Sequence, residues 1–145
     1  MMSLEKGDII NIKGTDIVGV VNRNLAEGVE VTICFDKERF INKKVLLSEN
    51  EIQITEIDAN DKRLGFIEYM RDTVSVKSLF SGKMRNPNRM ELFMDKFMEL
   101  WKSQPDIRFG QLISNLMMAD EDKLFGMEDD EMLKRIQESI DNRAR

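Results

Sequence analysis

The chain has 145 residues, 41% of them hydrophobic and 34% charged, with a net charge of −5. It contains no histidine and a single cysteine, Cys34, which removes the commonest general base, every Ser-His or Cys-His dyad, a Cys/His zinc site and any intrachain disulfide. No apolar run approaches the roughly 20 residues that span a bilayer, Met1–Asp8 lacks the apolar stretch of a signal peptide, and a reducing cytoplasm is the expected location. The charge is uneven: residues 1–60 carry net −4, residues 61–89 net +4 and residues 90–145 net −5. An acidic chain repels a phosphate backbone, so any nucleic-acid contact would centre on the basic stretch. The plainer alternative is that this stretch is a solvated or helical link.

Residues 9–57 are rich in Val and Ile and punctuated by turn residues. Ile9–Ile12 reads as a short strand after the Gly7-Asp8 turn, and Lys13–Asp16 breaks it. Ile17–Val21 resumes, with Gly19 inside the strand, where a glycine often marks a bulge or sharp bend. Asn22–Gly28 reads as a loop. Val29, Val31, Ile33 and Phe35 then alternate with Glu30, Thr32 and Cys34, the period of a strand buried on one face. In that setting Cys34 is expected to be a buried, hydrophobe-like thiol. Asp36–Arg39 is a polar loop, Phe40-Ile41 and Val45–Leu47 add apolar weight, and Ile52, Ile54 and Ile57 alternate again after the Ser48–Glu51 turn. Five short strands in so few residues suit closure into a barrel, which leaves no exposed edge.

Gly7-Asp8-x-Ile10, Ile17-Val-Gly-Val-Val21, Val31-x-Ile-Cys-Phe-Asp36 and Glu51-Ile-x-Ile54 resemble the strands of SH3-like barrels of the KOW and Tudor kind, over about residues 4–57. The resemblance implies a binding or packing module for nucleic acid, peptide or protein rather than one activity. A methyl-lysine cage is not evident, because Phe35 and Phe40 are the only aromatics there and both read as core.

Past the barrel, Asp58 or Asn60 is placed to cap a helix over about 60–73, with Leu64, Ile67, Met70 and Val74 at helical spacing. Lys77, Lys83, Arg85 and Arg89 form a loose basic run beside Leu79-Phe80. Basic residues interleaved with apolar ones suit RNA or an acidic partner surface, or a packing anchor with solvated neighbours. Asn86-Pro87 starts the next helix, on which Met90, Phe93, Phe97, Leu100 and Trp101 recur at helical spacing and Met94 and Met98 widen the apolar face. The three methionines are expected to be buried; the other reading is an adaptable binding surface. Pro105 ends that helix. Asp106 is positioned to cap a further one carrying Phe109, Leu112, Ile113, Leu116 and Met117. The acids Glu128–Glu131 suit the positive end of a last helix, with Met132, Leu133, Ile136 and Ile140. Asp120, Asp122 and Glu131 stand at positions one, three and twelve of a calcium loop, but Leu124 and Phe125 occupy the fifth and the required sixth-position glycine, so helix capping explains the acids better.

Met84-Arg-Asn-Pro-Asn-Arg89, Trp101, Pro105–Ile113 with Asn115, Leu124-Phe125 and Glu128–Asp130 resemble a family of short, uncharacterised bacterial and phage helical proteins, over about residues 84–140. The resemblance implies a domain starting near residue 84 with the barrel as an added module, and it implies no activity. Arg108, Gln111 and Asn115 share one face at i, i+3 and i+7. They suit a binding strip or, equally, capping and pairing with nearby carboxylates.

The expected architecture is therefore α+β: a five-stranded SH3-like β-barrel at 1–57, a basic, partly helical connector at 58–83 and a small three-helix domain at 84–145. No cofactor or metal is expected, and without histidine only carboxylate or lysine chemistry stays open, with no pair singled out. The expected function is binding and modulating a protein partner, in a phage or mobile-element setting. The alternative is a nucleic-acid accessory factor using the barrel face and the connector. In either case Lys77, Lys83, Arg85, Arg89, Arg108, Gln111 and Asn115 are the candidate contacts. A homo-oligomer fits the small size of the helical part.

Overall fold

A computed structural model describes residues 4–75, 86–117 and 126–143. Its elements are β1 (Ile9–Ile12), β2 (Ile17–Leu25), β3 (Gly28–Asp36), β4 (Arg39–Leu47), a one-turn 3-10 helix (Glu49–Glu51), β5 (Ile52–Ile54), then α1 (Arg63–Ser75), α2 (Arg89–Lys102), α3 (Phe109–Met117) and α4 (Asp129–Arg143). The α+β class stands. The strands form one antiparallel sheet in the order β4-β3-β2-β1-β5. The ladder is open, with β4 and β5 as its ends. The chain divides into two compact units, Met1–Leu92 and Phe93–Arg145.

In the first unit, β2 runs on through Asn22–Leu25, which the sequence marks as loop, and pairs with Gly28–Glu30 across a tight turn. Asn22 is polar yet buried, because its side chain finds cross-strand partners: Thr32 Oγ1 donates to Asn22 Oδ1 at 3.0 Å and Asn22 Nδ2 donates to Glu30 Oε1 at 3.3 Å. A buried polar group so satisfied costs little. The β3–β4 turn is equally tight, with Lys37 at φ 57 and Asp36 paired with Arg39. Gly19 sits at a register shift between β2 and β3, and a Cβ there would lie 2.5 Å from the Thr32 carbonyl oxygen. That is the bulge the sequence suggests, and the close approach is why no side chain fits.

Leu4, Ile10, Val21, Val29, Val31, Ile33 and Ile52 form one core, with Ile12, Ile17, Ile41, Val45 and Leu47 packed against it. Residues of both ladder ends therefore share that interior. Val31 to Phe35 are buried without interruption. Successive strand residues point to opposite faces, so β3 is covered on both, not on one as its alternation suggests. A register shift between Ile33 and Phe35 takes Phe35 out of the alternating set. Its ring meets Phe40 edge-on at 5.4 Å, Phe40 meets Phe66 of α1 at 5.2 Å, and Phe66 meets Tyr69 at 5.2 Å. Such edge-to-face pairs each add about 1 kcal/mol beyond their burial.

Helix α1, which also packs against β2, is thus part of the sheet unit. Asp61 caps it rather than Asp58 or Asn60: Asp61 Oδ1 accepts the Arg63 backbone N–H at 2.9 Å, while Asp58 Oδ1 accepts that of Asn60 in a preceding turn. The Arg63 guanidinium donates to both Asp61 carboxylate oxygens, lies 5.9 Å from the Phe35 ring centroid and donates to the Lys37 carbonyl. One side chain ties the start of α1 to the β3–β4 turn.

In the second unit, Phe97, Leu100, Leu112, Leu116 and Ile136 form the core, flanked by Phe93, Trp101, Ile107, Ile113, Met132 and Ile140. Helix α3 begins at Phe109, two residues later than an Asp106 cap would place it. Gln111 Oε1 accepts the Arg108 N–H at 3.0 Å, which is half of a capping box. At the other end, Arg135 Nη1 reaches the carbonyls of Leu116 and Met117 at 3.3 and 3.5 Å, which suits the negative helix terminus. Asp129, Asp130 and Glu131 occupy the first turn of α4, as their charge predicts. No helix among the described residues is long and apolar enough to cross a membrane.

Candidate interaction surface

Helix α2 buries one arc and exposes another. Leu92, Lys96, Phe97 and Leu100 are buried. Met90, Met94 and Met98, expected to be buried, are instead 53%, 53% and 44% exposed. The reason is geometric. Four helical residues advance about 400°, so each methionine lies only about 40° from the last, and the row follows one side of the helix. Phe97, itself a core residue, lies between this row and Leu100. The short α3 and the α4 core residues fill the Leu100 side, leaving the methionines on the outer shoulder.

Trp101 is half-buried, one turn beyond Met98, with its indole N–H donating to the Ile107 carbonyl at 2.9 Å. Phe109, 55% exposed at the start of α3, has its ring 5.6 Å from Trp101 and 5.7 Å from Phe97. The methionine row thus continues into a partly exposed aromatic group. Each methionine is followed directly by an exposed acid: Met90-Glu91, Met94-Asp95, Met98-Glu99. An acidic row therefore runs beside the methionine row with the same spacing. That four-residue repeat is the signal in the sequence for this surface, and the apolar periodicity masks it. Glu99 pairs with Lys96 at 3.5 Å, and Glu91 with Lys62 at 3.9 Å. Lys102 closes the flank at the helix end.

The sequence-derived contacts fare differently. Lys77, Lys83 and Arg85 lie outside the described residues, as do Leu79-Phe80 and the 120–125 part of the calcium-loop spacing. Arg89 has structural work: its guanidinium lies 5.6 Å from the Tyr69 ring centroid and donates to the Asn86 carbonyl at 2.9 Å. Gln111 caps α3, as described, and Arg108 is the residue it caps. Arg108, Gln111 and Asn115 are all exposed. Arg108 precedes the first helical residue, so a strip of three on one helix face reduces to Gln111 and Asn115.

In the sheet unit, a hollow of about 640 Å³ beside the start of α1 is lined by Asp61, Lys62, Gly65, Glu68, Asn88 and Glu91 among others. The hydrogen bonds from Arg63 hold the Asp61 carboxyl below its ordinary range, against the effect of partial burial. For Glu30, partial burial pushes the carboxyl up, but the hydrogen bonds from Asn22 and Arg23 and the charges of Arg23 and Lys44 leave it lowered. Burial pushes the Cys34 thiol up to about 12, so it is a protonated core group at ordinary pH. Among the described residues no group of three or more His, Cys, Asp or Glu side chains is placed to hold a metal ion. Comparison of the chain with protein-family models, with curated proteins and with solved structures gives no match.

Proposed function

We propose that this chain is a non-catalytic interaction protein that binds and modulates a protein partner through the outer face of α2. The observation that carries the reading is the row of exposed methionines ending at Trp101 and Phe109. Methionine side chains are unbranched and polarizable, so they fit partners of irregular shape. A half-buried tryptophan beside them is the kind of residue that anchors an interface. The nucleic-acid alternative loses support by comparison, since Arg89 is engaged with Tyr69 and the α2 face is acidic.

We also propose that the sheet is an SH3-like barrel. Supporting this are the order β4-β3-β2-β1-β5, the one-turn helix before β5, and the single core to which all five strands contribute. Ser48 N–H donates to Glu51 Oε1 at 2.9 Å, which fixes the turn into β5.

Photo-crosslinking in cells tests the binding reading. A photoreactive side chain placed at position 94 or 98 should give one dominant protein adduct, absent when the same group replaces exposed Glu138 on α4. The same adducts from all three positions, or none from 94 and 98, would remove it.

A further inference from the structure

We infer that the occupant of the α2 face is a basic amphipathic helix; this rests on the reading that α2 carries the binding surface. Within Phe93–Arg145, Met94 and Met98 are matched one residue on by Asp95 and Glu99. The two members of each row are about 6 Å apart along the axis, a little over one turn. An apolar row with a parallel acidic row is complementary to a helix that carries leucine-like residues on one stripe and Lys or Arg on the next. Helix-on-helix docking of this kind reads its partner through anchors at i, i+3, i+4 and i+7.

Charge selects among the other occupants. A second copy would set the acidic row of α2 against the same row in a two-fold contact, because an isologous interface pairs a patch with itself. An anionic lipid surface or a nucleic acid would face Asp95 and Glu99 with like charge. Glu99 pairs at 3.5 Å with Lys96, which is itself buried, so that pair stays in place while the exposed carboxylate still presents negative charge beside Asp95.

The chain's one tryptophan, Trp101, lies at the end of the methionine row and reports binding by its fluorescence. The probes are three synthetic peptides of about four helical turns. The first has leucine at helical spacing with lysine elsewhere. The second keeps the leucines and replaces lysine with glutamate. The third scrambles the first. Titrated into the full chain, the Leu/Lys peptide should shift Trp101 emission and bind at least about tenfold more tightly than the other two, a difference of about 1.4 kcal/mol. Its affinity should fall as salt rises. M94Q with M98Q should weaken it by a similar factor with the far-ultraviolet circular dichroism unchanged. D95K with E99K should turn the preference toward the Leu/Glu peptide.

Equal binding of the Leu/Lys and scrambled peptides, or no effect of the methionine substitutions, would overturn the inference. So would a dimer in light scattering that M94Q with M98Q abolishes. If crosslinking from positions 94 and 98 still captures a protein while the peptides show no charge preference, α2 binds a partner and the partner is not a basic helix. If both fail, the α2 reading itself falls.

Discussion

In the sheet unit the large rings of Phe35, Phe40, Phe66 and Tyr69 are at most 2% exposed, whereas in the helical part Met94, Met98 and Phe109 are each more than 40% exposed. The two regions are built from similarly apolar stretches, so hydrophobicity alone does not decide what is hidden. The sheet is covered on two sides, by its own curl and by α1, and its aromatic rings all find neighbours, while Leu25, Leu46 and Ile54 at its margins stay exposed. The helical core closes around the Leu100 side of α2, and the methionines fall outside its arc. Apolar residues that a unit leaves uncovered are the ones available to a partner.

The largest break in this contrast should come from F66A, which removes the centre of the aromatic chain. Truncating a buried phenylalanine costs about 3–5 kcal/mol, read by denaturant unfolding with reaction of the Cys34 thiol as the probe for the sheet unit. L100A should cost about 2–5 kcal/mol in the helical unit, read by Trp101 fluorescence. If the units unfold separately, each substitution moves one probe and leaves the other.

Alkali should act on the sheet unit next. The Cys34 thiol sits at about 12 when folded and ionises near 8.5 when unfolded. The raised folded value means that its contribution is complete below about 8.5 and is lost as pH rises toward 12; by pH 10 the loss amounts to about 2 kcal/mol. C34A should flatten that limb of the pH profile. Acid acts in the opposite sense through Asp61. Its lowered folded value gives stability that is present above about 3.9, the unfolded value, and lost as pH falls through the folded one. D61N should remove that acid-sensitive part while its amide oxygen keeps the cap on α1, and D61A should remove the cap as well, for about 1 kcal/mol at neutral pH. The smallest effect should be that of M94Q, within about 0.5 kcal/mol by thermal unfolding, because the side chain is already in water. A cost of several kcal/mol there would mean that the methionine row is core after all.

The sequence carries much of this in plain view. The strand periods, the Gly19 bulge, the Pro87 and Pro105 limits of α2 and the acidic start of α4 all depend on local chemistry, and local chemistry is written in order along the chain. What it conceals depends on residues far apart. Asn22 reads as loop because its partners, Glu30 and Thr32, are on the neighbouring strand. Residues 58–75 read as a connector because the other half of the Phe40–Phe66 contact lies in β4. Met94 and Met98 read as core because a helical period shows which residues are apolar but not how wide an arc the rest of the unit covers. The seven polar candidates stand out by charge and spacing alone; Arg89 faces Tyr69, a partner that spacing does not reveal.

The line of rings from Phe35 through Phe40 and Phe66 to Tyr69 ends under the guanidinium of Arg89. During synthesis, then, the strands emerge well before the residues that cover them. A nascent chain that has reached β5 holds all five strands but leaves one side of the sheet wet, with Phe40 and Cys34 open to other proteins. Only when α1, which ends at Ser75, has cleared the ribosome can that side close. Contacts of such long sequence separation slow folding and lengthen the time during which a strand face is exposed. The interval between residues 54 and 75 is therefore where a chaperone has most to protect, and where a ribosome stall leaves a strand face open to aggregation.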